Sequence, residues 1–163
     1  MPPNDVLYWA SFVAFALLLA AASLVDLRRR RIPNVVVLAL VGLFVMTAAA
    51  FPAHVDLKSS LVAALVALSV SGLLYTFGMV GAGDSKLFTA IALFTGLHRL
   101  WSFSLLTAFL GGILAVVYLA FAGRRRAIPM RERTSIPYGV SIALAGIIVR
   151  FAETASHPAG PLV

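Results

Sequence analysis

Apolar residues along this chain come in long unbroken runs, not in the alternation of a half-buried strand or the narrow stripe of a soluble amphipathic helix. Six runs lie between polar breaks: Val6 to Val25, Val35 to Phe51, Leu61 to Val80, Leu87 to Leu97, Trp101 to Phe121 and Ile136 to Phe151. A bilayer core of about 30 Å takes about 20 apolar helical residues to cross, and the fourth run is short by that measure. Backbone groups in lipid must pair within their own segment, so the runs are helices; the dyad repeat of a barrel is absent. The expected fold is all-α, a polytopic integral membrane protein with six transmembrane helices, residues 1–163 forming a single membrane-embedded domain. The arginines follow the first apolar run instead of preceding it, so that run reads as a retained span and not as a secretory signal.

Composition sharpens this picture. Of 163 residues 61% are hydrophobic and 12% charged, against about 45–50% and about 25% in soluble domains, which excludes a water-soluble globule and a disordered tail. The net charge of +7 sits at the ends of apolar runs and not on a solvated groove, so nucleic acid is not the expected partner. Zero cysteines exclude disulfides, thiol catalysis and Cys-based zinc sites. The chain has no H-E-x-x-H motif and no histidine at membrane depth to serve a serine nucleophile. His54, His98 and His157 lie at run ends without ligand spacing, so they read as surface residues, and neither metal nor cofactor is expected.

Cytoplasmic connections collect Lys and Arg. Arg28 to Arg31, Lys86, Arg124 to Arg126, Arg131 and Arg133 fall on one side, ten in all; Lys58, Arg99 and Arg150 fall on the other. The alternation predicts six crossings with both termini outside the cytoplasm, and the arginines suit anchoring to anionic lipids. Ala63, Ala67 and Ser71 recur every four residues, a small-residue stripe for close helix packing.

An ionisable group at membrane depth is costly and points to function. Of six acidic residues, Asp26 and Asp84 stand at cytoplasmic ends of spans, Asp84 within Gly81-Ala82-Gly83-Asp84-Ser85-Lys86. With His98 at the outer surface, a rise of ~1.5 Å per residue leaves Asp84 some ~9 Å below the cytoplasmic face, and Asp26 reaches a comparable depth from Trp9. Two carboxyls sharing a site do not both ionise easily: one keeps its proton while the other activates water, the basis of aspartic proteolysis. The glycines beside Asp84 admit close approach of a substrate strand or a facing helix. Helix dipoles favour Asp84, at a helix start, as the charged base and Asp26, at a helix end, as the proton holder.

Asp26 with the arginines and Ile32-Pro33-Asn34, then Gly81 to Leu87, then Ile136-Pro137-Tyr138-Gly139-Val140-Ser141-Ile142-Ala143 follow one another in the chain. In that order they resemble the type IV prepilin peptidase family of GxGD aspartic proteases, in particular the short members that serve Flp (tight-adherence) pili. The resemblance implies removal of the leader from single-span prepilins at the cytoplasmic side of the bacterial inner membrane. It implies Asp26 and Asp84 as the catalytic pair, supported by Gly81, Gly83, Lys86, Pro33, Asn34, Pro137, Tyr138 and Gly139. Longer members add a cysteine-motif insertion and methylate the new N-terminus; with no cysteine here, peptidase activity alone is implied.

Plainer readings stand beside these. Asp84 can cap its helix, and Asp26 can pair with Arg29 or Arg30 one turn away. Lys86 either favours the charged carboxylate beside it or snorkels to the headgroups. Pro33 and Pro137 suit first helical turns. A small proton-coupled transporter, or a scaffold subunit of a pilus assembly machine, would also carry membrane carboxyls.

Overall fold

A computed structural model describes residues 3–29, 31–122 and 138–156 of the chain. All its regular elements are helices: α1 (Pro3–Arg29), α2 (Asn34–Ala50), α3 (Leu57–Thr76), α4 (Ala82–Ala122) and α5 (Tyr138–Ser156). Four of these, α1, α3, α4 and α5, are long and apolar enough to cross a membrane, and α2 is a shorter apolar helix of 17 residues. The apolar side chains that face outward, Leu17, Leu38, Leu65 and Val116 among them, are more than 60% exposed. An outer surface of that kind belongs in lipid. The protein is a multi-pass helical membrane protein.

Six separate spans were expected, and the described residues instead form five helices. The expected fourth and fifth spans, Leu87 to Leu97 and Trp101 to Phe121, are joined within α4 without a loop. A single residue breaks the helix: Gly96 has φ 62° and ψ 175°, a conformation open in practice to glycine alone. Phe88 and Phe103 stack across the break with ring centroids 4.6 Å apart, whereas a straight helix would hold residues at that spacing about 22 Å apart. The chain therefore doubles back at Gly96, and α4 is a hairpin of two antiparallel arms. Leu97 N–H, freed by the break, donates to Ser59 Oγ at 2.9 Å.

The other bounds shift by a few residues. The third helix starts at Leu57, capped by Asp56, whose carboxylate accepts from Ser59 N–H at 3.0 Å. Pro33 lies one residue before α2, with φ −66° and ψ 136°, and not in its first turn. Pro137 lies outside the described residues.

The core is continuous through all five helices. Phe15, Leu19 and Ala22 of α1, Leu40 and Phe44 of α2, Leu87 and Ile91 of α4, and Ile142 and Ala145 of α5 meet in it. The stripe Ala63, Ala67 and Ser71 is buried, as its small residues predict. Ser85 Oγ of α4 donates to the Ser71 carbonyl of α3 at 3.1 Å, a bond that close approach makes available. On α1 the buried positions Leu19, Ala22 and Asp26 follow one helical face. The same periodicity that buries the leucine therefore turns Asp26 into the bundle.

Candidate active site

Asp26, in the last turn of α1, is 5% exposed. Its Oδ2 accepts a hydrogen bond from Gly139 N–H at 3.1 Å, in the first turn of α5. Early helix amides have no partner inside their own helix, so this one is free to hold a carboxylate. A Cβ at Gly139 would lie 2.6 Å from Asp26 Oδ2 and 3.0 Å from its Cγ. Only glycine lets the two backbones come this close.

Asp84 stands in the first turn of α4, two residues inside its start, and its side chain turns back to bond the Gly81 backbone. That is the reach-back half of a capping box. The helix-capping reading of Asp84 is therefore correct in part, by return to Gly81 and not from the N-cap position itself. A Cβ on Gly81 would lie 3.0 Å from Asp84 Oδ2, so the carboxyl is folded against the glycine.

One side chain links the two acids' supports. Ile32, in the connection between α1 and α2, has its Cβ 3.3 Å from the position a Cβ on Gly83 would take, and its Cδ1 3.2 Å from that of Gly139. It is wedged between the starts of α4 and α5. Across the mouth, Lys86 Nζ donates to Asn34 Oδ1 at 3.2 Å, joining α4 to α2.

Both acids open onto one cavity of about 550 Å³. Asp26, Arg31, Asn34, Gly81, Gly83, Asp84, Lys86 and Tyr138 all contribute to its wall. Asp26 and Asp84 come within electrostatic reach of each other there. Of the residues expected to form the site, Pro33 does not line the cavity, although its chain neighbours Ile32 and Asn34 do. Tyr138 packs its ring edge over Gly111, where an added Cβ would lie 3.2 Å away. Asp26 closes α1 and also receives an amide from the start of α5, so each acid lies beside a helix start.

Sequence reasoning missed a polar cluster at the opposite end of the bundle. Arg150, expected on the outer surface, is 4% exposed. Its Nη1 bonds Glu153 Oε2 at 2.6 Å, and its guanidinium lies 5.2 Å from the Tyr8 ring centroid and 5.9 Å from that of Phe94. Tyr8 is itself buried. The signal was present, because Arg150 and Glu153 are three residues apart on one helix. His54 and His98, distant in sequence, line one cavity of about 140 Å³ with this pair. No group of three or more His, Asp or Glu able to hold a metal occurs among the described residues.

The arrangement defines a class: a polytopic helical membrane protein with two carboxyls, contributed by different helices, in a polar cavity at one end of the bundle. Residues 13–116 match the model of the type IV leader peptidase family. The chain belongs to that family, whose members are proteases acting on prepilin precursors. Neither a curated protein nor a solved structure matches the chain significantly. The matched segment holds Asp26 and Asp84 but ends before α5, so Gly139 and Tyr138 join the site through the fold.

Proposed function

We propose that the protein is an aspartic endopeptidase that removes the leader from Flp-type prepilins at the cytoplasmic side of the bacterial inner membrane, with Asp26 and Asp84 as its catalytic pair. The observation that carries this reading is the shared cavity: two carboxyls from distant parts of the chain line it together. One carboxyl keeps a proton and gives it to the carbonyl oxygen of the scissile peptide. The other takes a proton from the water that attacks the carbonyl carbon. Collapse of the resulting diol returns a proton to the leaving nitrogen and breaks the C–N bond.

Gly81 and Gly139 hold the carboxyls by their backbones, and Gly83 leaves room for the Ile32 wedge. Lys86 and Asn34 shape the mouth. The two arms of α4 each serve as a crossing, which with α1, α2, α3 and α5 makes six. The excess of basic residues then assigns the end bearing Asp26 and Asp84 to the cytoplasm and both termini to the outside. Arg28, Arg29 and Arg31 are exposed near that face and suit contact with anionic lipid headgroups.

The test is co-expression with Flp-type prepilins and a gel-shift assay of leader removal. Asp26→Asn and Asp84→Asn each reduce processing by ~10²- to 10⁴-fold, the usual loss with a general acid or base, while the protein stays inserted. Processing by both variants at the wild-type rate removes the reading.

A further inference from the structure

Asp84 is carried by a helix start that its own sequence holds weakly. The helix before it ends firmly. Gly78 N–H donates to the Tyr75 carbonyl at 2.9 Å and Met79 N–H to the Leu74 carbonyl at 3.0 Å, with Gly78 at φ 71°. This is a Schellman closure, and it makes the end of α3 a fixed reference. After residues 79–81 α4 begins, and Gly81, just before its first turn, has no side chain with which to cap it. A stiffer residue does not fit at Gly81 or Gly83 without displacement, because a Cβ would crowd Asp84 at the one and Ile32 at the other. The turn that aims Asp84 is therefore held from outside α4.

Two side chains that follow Asp84 directly provide the hold. Lys86 reaches Asn34 of α2 through an exposed bond, for which water competes. Ser85 Oγ donates to the Ser71 carbonyl of α3 at 3.1 Å, and this bond is buried. Hydroxyls on membrane helices commonly bond the carbonyl one turn earlier. Ser69 does so to Leu65 at 2.8 Å, Thr89 to Ser85 at 2.8 Å and Ser104 to Leu100 at 2.7 Å. Ser85 instead donates across to the neighbouring helix. It is 6% exposed and does not line the carboxyl cavity, so it acts on the site only through the backbone it anchors. Asp26 is fixed separately, by Gly139 N–H of α5. How far apart the two carboxyls stand thus depends on how the start of α4 is seated on α3.

Building on the peptidase reading above, we propose that Ser85 is the positioning residue for Asp84: its hydroxyl pins the first turn of α4 to α3 and so sets the spacing of the catalytic pair. Removing the hydroxyl leaves no orphan, because the Ser71 carbonyl keeps its place in the α3 ladder. The fold is then little disturbed, whereas Asp84 is free to shift against Asp26. Such a shift impairs proton transfer in the transition state and leaves the seating of the substrate alone, so the loss falls on kcat and not on KM.

Rates of leader removal from a Flp-type prepilin, measured on the full chain in detergent over a range of prepilin concentrations, give the two constants separately. Ser85→Ala lowers kcat about tenfold, as expected when a catalytic group moves by part of an ångström, and leaves KM within about twofold of wild type. Ser85→Thr keeps the hydroxyl and retains most of the wild-type kcat. Ser104→Ala, which removes a bond inside the second arm of α4, lowers the melting temperature at least as much as Ser85→Ala but leaves kcat unchanged. A wild-type kcat in Ser85→Ala overturns the proposal. So does an equal fall in Ser104→Ala, which makes the effect a general loosening, or an equal fall in Ser85→Thr, which takes the hydroxyl out of the account. If the wild type cleaves the prepilin and Ser85→Ala is unimpaired, the positioning role fails alone; if the wild type cleaves no prepilin, the peptidase reading fails and the role with it.

Discussion

Gly139 N–H, at the start of the last helix, donates to Oδ2 of Asp26, at the end of the first, at 3.1 Å and across 113 residues of chain. This bond closes the bundle around the site. It also gives a buried carboxyl a hydrogen-bond partner, which lowers the cost of its burial. The contact leaves no room for a side chain, because an added Cβ would meet the carboxylate at 2.6 Å.

Gly139→Ala is therefore expected to push Asp26 or the start of α5 aside. Displacement of a catalytic group by a fraction of an ångström to one ångström costs up to ~10²-fold in rate. Leader removal should fall by about 10- to 100-fold while the protein still inserts and can be purified. Rates measured on reconstituted Gly139→Ala enzyme check this, and a rate equal to wild type contradicts the role given to the contact.

Ile32 touches the neighbourhoods of both Gly83 and Gly139 and is only partly buried. Ile32→Ala removes the wedge at a cost of about 1–2 kcal/mol, below the range of a fully buried isoleucine. It should also lower activity more than an equal loss of stability elsewhere, because the two acid-bearing ends lose their spacer. Paired thermal melts and processing rates separate the two effects.

At Gly96 any side chain has to adopt a backbone conformation costing about 1–3 kcal/mol, and its Cβ would lie 3.1 Å from Ser59 Oγ. Gly96→Ala is expected to lower the melting temperature in detergent by several degrees. An unchanged melt would mean that the reversal in α4 does not depend on this residue.

The Arg150–Glu153 pair is a buried contact, with side chains 5% and 16% exposed. Removing Arg150 takes a close cation from a buried carboxylate, so Arg150→Met should cost about 2–4 kcal/mol. The double change Arg150→Met with Glu153→Gln should recover more than half of that, since no charge is left uncompensated. A double-mutant cycle followed by thermal denaturation measures the coupling. Processing per folded molecule should stay within about twofold of wild type, the cluster being at the other end of the bundle.

Much of this was legible in the chain itself, and for identifiable reasons. Asp26 and Asp84 stood out because charge at membrane depth is costly, and both line the cavity. Ala63, Ala67 and Ser71 declared a packing face by spacing alone, and all three are buried. A reversal between the fourth and fifth runs was legible from the polar His98 and Arg99; that it pivots on Gly96 alone was hidden, because a glycine in an apolar run does not announce the sign of its φ. Arg150 was counted as a surface charge because its ring partners, Tyr8 and Phe94, come from other helices.

From sequence alone came the properties that depend on solvent and on local repeat: helices, because lipid leaves backbone groups no other partner; a membrane location, because the apolar runs are long and nearly uncharged; and two acids marked by their cost. Only the tertiary structure decided which backbone amide holds Asp26 and how Ile32 spaces the two helix starts. These are contacts between segments far apart in the chain. Their geometry depends on how helices cross and on which small residues let them approach, and no local pattern of residues encodes it.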